Sequence, residues 1–166
     1  GFDPDLARQL WTEAGVDTAQ RISLAYAVEG DNEKVVQFIA QQWKTVLGID
    51  VTLEPLELQT FSQRMTDTYN DPANGLQMYY SVWGADYPDP QNWLSQQLRT
   101  DVGNNNGRYS NAEFDKLVDQ ADVEVSDAVQ RLNLYNKAEQ IAVEEAGWLP
   151  LFSPNANAML KTYVTG

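Results

Sequence analysis

The sequence predicts an α/β fold: one domain of βαβ units, with a mostly parallel sheet flanked by helices. Three adjacent stretches carry that reading. RISLAYAV, residues 21–28, alternates Ile22, Leu24, Tyr26 and Val28 with the smaller Ser23, Ala25 and Ala27, the period of a strand. EGDNEKVVQFIAQQWKTVLGI repeats its apolar residues with helical spacing, at Val35, Val36, Ile39, Trp43, Val46 and Leu47. IDVTLEPLE alternates again, with Ile49, Val51 and Leu53 set against Asp50, Thr52 and Glu54. Strand, helix and strand at this spacing form a βαβ unit, whose strands lie parallel across a right-handed connection.

The remaining elements follow in chain order. Asp3-Pro4 is a helix start, with Asp as the cap and Pro at the first helical position. Leu6, Ala7, Leu10, Trp11 and Ala14 then share one helical face, and Gly15 ends the helix. Asp31 or Asn32 caps the second helix and Gly48 stops it in a left-handed conformation. Residues 57–69 predict a third helix bearing Leu58, Phe61 and Met65, and NDPANG after it is a turn cluster. LQMYYSVW is an apolar and aromatic strand running to Trp83. NWLSQQL reads as a short helix and DVGNNNGRYSN as an irregular loop. Two more helices are predicted at about 111–124 and 127–146, and LPLFSPNANAMLKTYV offers one or two strands. With 166 residues and no linker, repeat or low-complexity tract, residues 1–166 form a single domain that buries about two-thirds of its unfolded surface.

Composition removes several functions. Twenty-four acidic residues against 11 basic ones give a net charge of −13, a field that repels phosphate backbones and excludes nucleic acid as a partner. The chain has no His and no Cys, which removes Ser-His-Asp and Cys-His nucleophiles and every Cys/His zinc site. No cofactor and no metal site is expected. GxGxxG and GxxxxGK[ST] are absent. DVGNNNGRYSNA departs from a calcium loop at its third, sixth and twelfth positions, Gly103, Asn106 and Ala112. No stretch approaches the ~20 apolar residues of a membrane span. The opening GFDPDLARQLW lacks the basic start and apolar run of a signal peptide. The absence of Cys suits an exported protein or a cytosolic one.

What remains centres on SVWGADYPDPQNWL, residues 81–94. Asp89-Pro90 is a helix start. Asp86 follows a predicted strand end through Gly84-Ala85, where α/β proteins bind ligands, and spacing leaves it open between a turn residue and a ligand contact. A carboxylate pair of Asp86 with Asp89 or Glu54 would be needed for hydrolysis, yet two acids three apart around a Pro seldom converge. Tyr79, Tyr80, Trp83, Tyr87, Trp93 and Tyr109 cluster in sequence around Asp86. Some of these pack the core, and several could line a concave wall around one fixed charge.

Five stretches in order resemble the solute-binding proteins of ABC importers in the peptide and oligopeptide class, family 5. FDPDLARQLWTEAGV is similar to that family's D-P-x-x-A-x-x-L-L-x-E-A-G helix, and WKTVLGIDVTLEPLE to its W-x-x-L-G-I-x-V-x-L stretch. WGADYPDPQNWL resembles W-x-A-D-Y-P-D-P, YSNAEFDKLVDQA resembles Y-S-N-x-E-F-D-x-L-I, and RLNLYNKAEQIAVEEAGWLPLF resembles the R-x-x-L-Y-x-x-A-E-x-I helix with its P-L end. One departure is Val82, where the family often has Gly.

The resemblance implies a periplasmic-binding-protein-like type II fold, this chain being the C-terminal ligand-binding lobe of a larger two-lobe protein. It implies a non-enzymatic, monomeric receptor that works at the periplasmic or extracellular face of the cytoplasmic membrane, with a lipid anchor in some members. Its expected partners are a peptide or other small solute, the missing N-terminal lobe and ABC permease subunits, onto which an acidic surface would dock. Asp86 would pair with the ligand's α-ammonium group, and backbone at Gly84 would hydrogen-bond an extended peptide as an added strand. Trp83, Tyr80, Tyr87 and Tyr109 complete the expected site. Oligosaccharide binding is the alternative within the family; nickel is disfavoured in a chain without His.

Overall fold

The computed structural model describes residues 2–16, 21–153 and 159. Helix α1 (Pro4–Ala14) precedes strand β1 (Ile22–Ala27), helix α2 (Asn32–Leu47), strand β2 (Val51–Leu56), helix α3 (Leu58–Asn70) and the two-residue strand β3 (Tyr79–Tyr80). A 3-10 turn (Pro90–Asn92) and the one-turn helix α4 (Ser95–Leu98) lead to α5 (Ala112–Val123) and α6 (Ala128–Glu144).

The three strands form one parallel sheet in the order β2-β1-β3. In register, Ile22 lies opposite Val51 and Ala27 opposite Leu56, while Ala25 and Tyr26 lie opposite Tyr79 and Tyr80. The central strand buries Leu24 through Ala27 without interruption, because helices cover both of its faces. On one face Leu24 and Tyr26 pack with Val36 of α2. On the other, Ala25 and Ala27 pack with Phe61 of α3 and Leu76, their small size admitting the ring of Phe61. The α/β reading with its parallel sheet is the architecture observed.

The start of α1 and the ends of α1 and α2 follow the predicted chemistry, but the expected side-chain cap on α2 is absent, since Asp31 makes no capping bond. Asp3 Oδ1 accepts from the Leu6 amide at 3.0 Å, and Gly15 and Gly48 take φ of 58° and 73°, where a side chain would be strained. Asn111 caps α5 by accepting from the Glu113 and Phe114 amides, and Asp127 caps α6 likewise through Val129 and Gln130. Asn32 instead spends its side chain on the Ala27 carbonyl, 3.0 Å away, which ties the start of α2 to the end of β1.

One expectation is corrected, and the structure adds detail to three others. The strand predicted to reach Trp83 stops at Tyr80, and residues 81–85 have no regular structure. Leu58 is exposed; α3 turns Phe61, Met65 and Thr68 inward, and its cap is Glu57, whose carboxylate accepts from the Gln59 and Thr60 amides. In α1 only Ala7 and Trp11 of the apolar face are half-buried, while Leu6, Leu10 and Ala14 are exposed. Residues 149–153 contain no strand, and most of the predicted tail strands lie outside the described residues.

A third core sits among the helices. Leu94, Leu98, Phe114, Val118, Ala121, Tyr135, Ala138 and Ala142 form one cluster joining α4, α5 and α6, with Tyr109 and Trp148 on its margin.

Candidate functional site

The order β2-β1-β3 creates a switch point. From β1 the chain passes through α2 to β2 on one side, and from β2 through α3 to β3 on the other. The connections therefore diverge between β1 and β3, and their carboxyl ends flank the crevice where open α/β sheets bind ligands. Residues 81–89 leave the sheet at that place, directly after Tyr80.

This segment carries most of the predicted site. Val82, Gly84, Ala85, Asp86 and Tyr87 are exposed, and Trp83 is half-buried. Gly84 has no crowding to relieve: a Cβ placed on it would meet nothing within 4 Å, and its φ is outside the left-handed region. Its own fold does not require glycine there. The Tyr87 hydroxyl donates to Gln91 Oε1, folding the ring back over the turn. Tyr80 is half-buried in the cluster with Leu24, Tyr26 and Val36, and burial raises its phenol pKa above the ordinary value.

Asp86 and Asp89, three residues apart, have different surroundings. Asp89 accepts two parallel bonds from Arg131, at 2.8 and 2.9 Å, and also caps the 3-10 turn through the Gln91 amide. The Arg131 guanidinium holds the Asp89 carboxyl below its usual pKa. Arg131 lies over the Tyr135 ring, 4.9 Å from its centre, and donates to the Tyr135 hydroxyl. That hydroxyl donates to Asp122, which also accepts from Ser95. Asp89 is thus one end of a network that fastens the turn to α6 and α5. Its reading as a helix start holds, with the arginine pair added.

Asp86 has no such cation among the described residues. Its backbone amide donates to Asn92 Oδ1 at 3.1 Å, and its carboxylate Oδ2 accepts from Asn92 Nδ2 at 3.2 Å. Trp83 Nε1 donates to the same Asn92 Oδ1 at 2.9 Å. Asn92, 1% exposed, thereby joins both ends of the Trp83–Asp86 segment. Sequence reasoning passed over Asn92, treating it as the first residue of a short helix. The signal available was a polar residue opening an apolar helix just after a capped turn.

Tyr109 is placed elsewhere. Its ring packs edge-on against Phe114, with centroids 5.4 Å apart, and its hydroxyl donates to Glu145 Oε2 at 2.9 Å. Burial, with the neighbouring Glu145 carboxylate, pushes its phenol pKa well up. Among the described residues, no hydrogen bond or ring contact joins it to the Trp83–Asp86 segment. Both other acids weighed for hydrolysis face arginines, Glu54 being 3.4 Å from Arg64. Among the described residues no cluster of acidic side chains could hold a metal ion, and no helix is long and apolar enough to cross a membrane.

Known proteins resemble this chain in sequence and fold. The profile of bacterial extracellular solute-binding proteins, family 5 Middle, matches residues 1–105. A probable deoxycholate-binding periplasmic protein of Escherichia coli K12, YgiS, is 31% identical over 163 residues, 97% of this chain and 29% of its own length. The periplasmic oligopeptide-binding protein OppA of Salmonella typhimurium is 32% identical, covering 96% of this chain and 28% of its own. The solved structure of the Escherichia coli murein tripeptide-binding protein MppA superposes with a TM-score of 0.76 at 27% identity, covering 87% of this chain and 27% of that one. The chain spans less than a third of the length of the curated relatives it matches. That family is one of binding proteins, and both relatives are named as periplasmic. With a profile matched over most of its length and a fold shared with a solved binding protein, the chain belongs to the bacterial extracellular solute-binding proteins of family 5.

Proposed function

We propose that this chain supplies one wall of a peptide-binding cleft, in a receptor that collects peptides outside the cytoplasmic membrane for ABC import. It is the C-terminal ligand-binding lobe of a two-lobe protein; the other lobe closes the cleft and the permease receives the solute. The observation that carries this reading is the state of Asp86. Its carboxylate is exposed at the sheet's switch point, tethered by a buried amide and without a cation among the described residues, while Asp89 nearby has its arginine. A fixed, unpaired carboxylate matches the α-ammonium group of a peptide. Gly84, open above its Cα, leaves room for a peptide backbone to approach.

The same observation ranks the alternatives. An anionic solute such as a bile salt would meet the Asp86 charge on a chain of net charge −13. An oligosaccharide would have the exposed rings of Tyr87 and Trp93 to stack on, but Trp83 and Tyr80 are half-buried and a neutral sugar leaves the Asp86 charge uncompensated. A hydrolase would need a second free carboxylate, and both candidates face arginines.

The test is titration calorimetry on the two-lobe protein with Ala-Ala-Ala and its N-acetylated form. In a closed cleft the ammonium–carboxylate pair is desolvated, so Asp86→Asn should weaken the free-amine peptide by about 2–5 kcal/mol and the acetylated one little. Equal losses for both peptides would remove Asp86 from ligand contact. This lobe alone should bind neither tightly, because closure supplies the desolvation.

A further inference from the structure

The contacts of Asn92 extend the site inward, and the inference drawn from them rests on the reading of Asp86 just given. We propose that Asn92 is a positioning residue for peptide binding: its buried side-chain amide fixes the Asp86 carboxylate, and with it Trp83, in the arrangement that receives the ligand's ammonium group.

Hydrogen-bond chemistry singles out Asn at this place. The indole N–H of Trp83 and the backbone N–H of Asp86 are both pure donors, so the atom facing them must be the amide oxygen, which has two lone pairs for the two bonds. The amide nitrogen is then turned to Asp86 Oδ2, where it can only donate. An apolar residue would leave two donors unpaired at a site where Asn92 is 1% exposed. Asp would lack the donor and set a like charge against Asp86. Gln would reach one methylene too far.

The bond to Oδ2 has two consequences. It orders an otherwise exposed carboxylate before the ligand arrives, so less rotamer freedom is lost on binding. It also leaves Oδ1 for the incoming ammonium group. The grip is rigid because the 3-10 turn bearing Asn92 is clamped to α6 by Asp89 and Arg131.

The experiment measures the ratio of affinities for Ala-Ala-Ala and N-acetyl-Ala-Ala-Ala in the two-lobe protein. The wild type, Asp86→Asn, Asn92→Ala and the double variant are compared, with thermal unfolding confirming that each is folded. Asn92→Ala should lower the ratio about tenfold or more while leaving the acetylated peptide nearly unaffected. The double variant should match Asp86→Asn alone, because Asn92 acts through that carboxylate. If Asn92→Ala does not fold, Asn92→Ser, which keeps a hydroxyl acceptor, carries the same comparison. A folded Asn92 variant that weakens both peptides equally, or keeps the wild-type ratio, overturns the positioning role while the Asp86 reading stands. A wild type that takes both peptides alike, or neither, or an Asp86→Asn variant that keeps the ratio, overturns the Asp86 reading and this inference with it.

Discussion

The sheet half and the helical half of this molecule are built on different plans. The sheet half has two thin cores, one on each face of β1, and its third strand is two residues long. The helical half has one continuous core in which Phe114, Val118, Ala121 and Ala138 are completely buried, backed by the network from Asp89 to Ser95. The candidate site belongs to neither half alone. Residues 81–89 leave the sheet at β3, but Asn92, Asp89 and Arg131 hold them from the helical side. The sheet decides where residues 81–89 emerge, and the helical side anchors them. A short strand suffices at β3 because the chain beyond it is anchored elsewhere.

This division can be broken from either side. The largest expected effect is Phe114→Ala, which empties the centre of the helical core and removes the ring against Tyr109. It should cost about 3–5 kcal/mol in urea unfolding. Hydrogen exchange should show lost protection in α5 and α6 before β1; uniform loss would mean that the halves unfold as one.

Arg131→Met comes next, because it keeps the apolar stem but leaves Asp89 unpaired at the junction. Both side chains are partly exposed, at 24% and 33%, so the cost is smaller than for a fully buried pair, about 1–3 kcal/mol. The pH dependence has a definite sign. The Asp89 carboxyl is held below its ordinary value of 3.8, so its stabilisation is complete above that value and fades as pH falls through the folded one. Wild-type stability should therefore drop more steeply below about pH 4 than that of Arg131→Met, as acid unfolding curves would show. Parallel curves would mean that the clamp does not hold the turn.

A comparable effect and then the smallest one come from two glycines and sharpen the contrast between frame and site. A Cβ on Gly75 would lie 2.8 Å from Thr68 Cα, so Gly75→Ala must shift α3 and should cost about 1–3 kcal/mol by thermal unfolding. A Cβ on Gly84 meets nothing, so Gly84→Ala should change stability by no more than about 1 kcal/mol in either direction. The same variant should lower affinity for Ala-Ala-Ala about tenfold by crowding the approaching backbone. Unchanged affinity would leave Gly84 without a role in binding.

Much of this was legible in the residues themselves. The βαβ unit, the helix ends at Gly15 and Gly48, the cap at Asp3 and the turn at Asp89-Pro90 depend on short-range chemistry, which works wherever the segment lies in the fold. The order of the motifs points to the family. What local pattern left open shares a cause. Leu58 and the exposed part of α1 have good helical spacing, but spacing does not reveal which positions have a neighbour. Tyr79 to Trp83 has strand composition, yet pairing with β1 ends at Tyr80 and the Trp83 indole bonds to Asn92, nine residues along the chain.

By itself, then, the sequence determined the α/β class, the parallel βαβ unit, most helix boundaries and the family. Only the tertiary structure decided which of two aspartates is paired, because Arg131 lies 42 residues from Asp89 and meets it only when α6 packs beside the turn. It likewise decided that Asn92 holds Asp86, since a buried amide is defined by the donors that folding brings to it. Local chemistry is written in neighbouring residues, but burial and charge pairing arise only when distant ones meet.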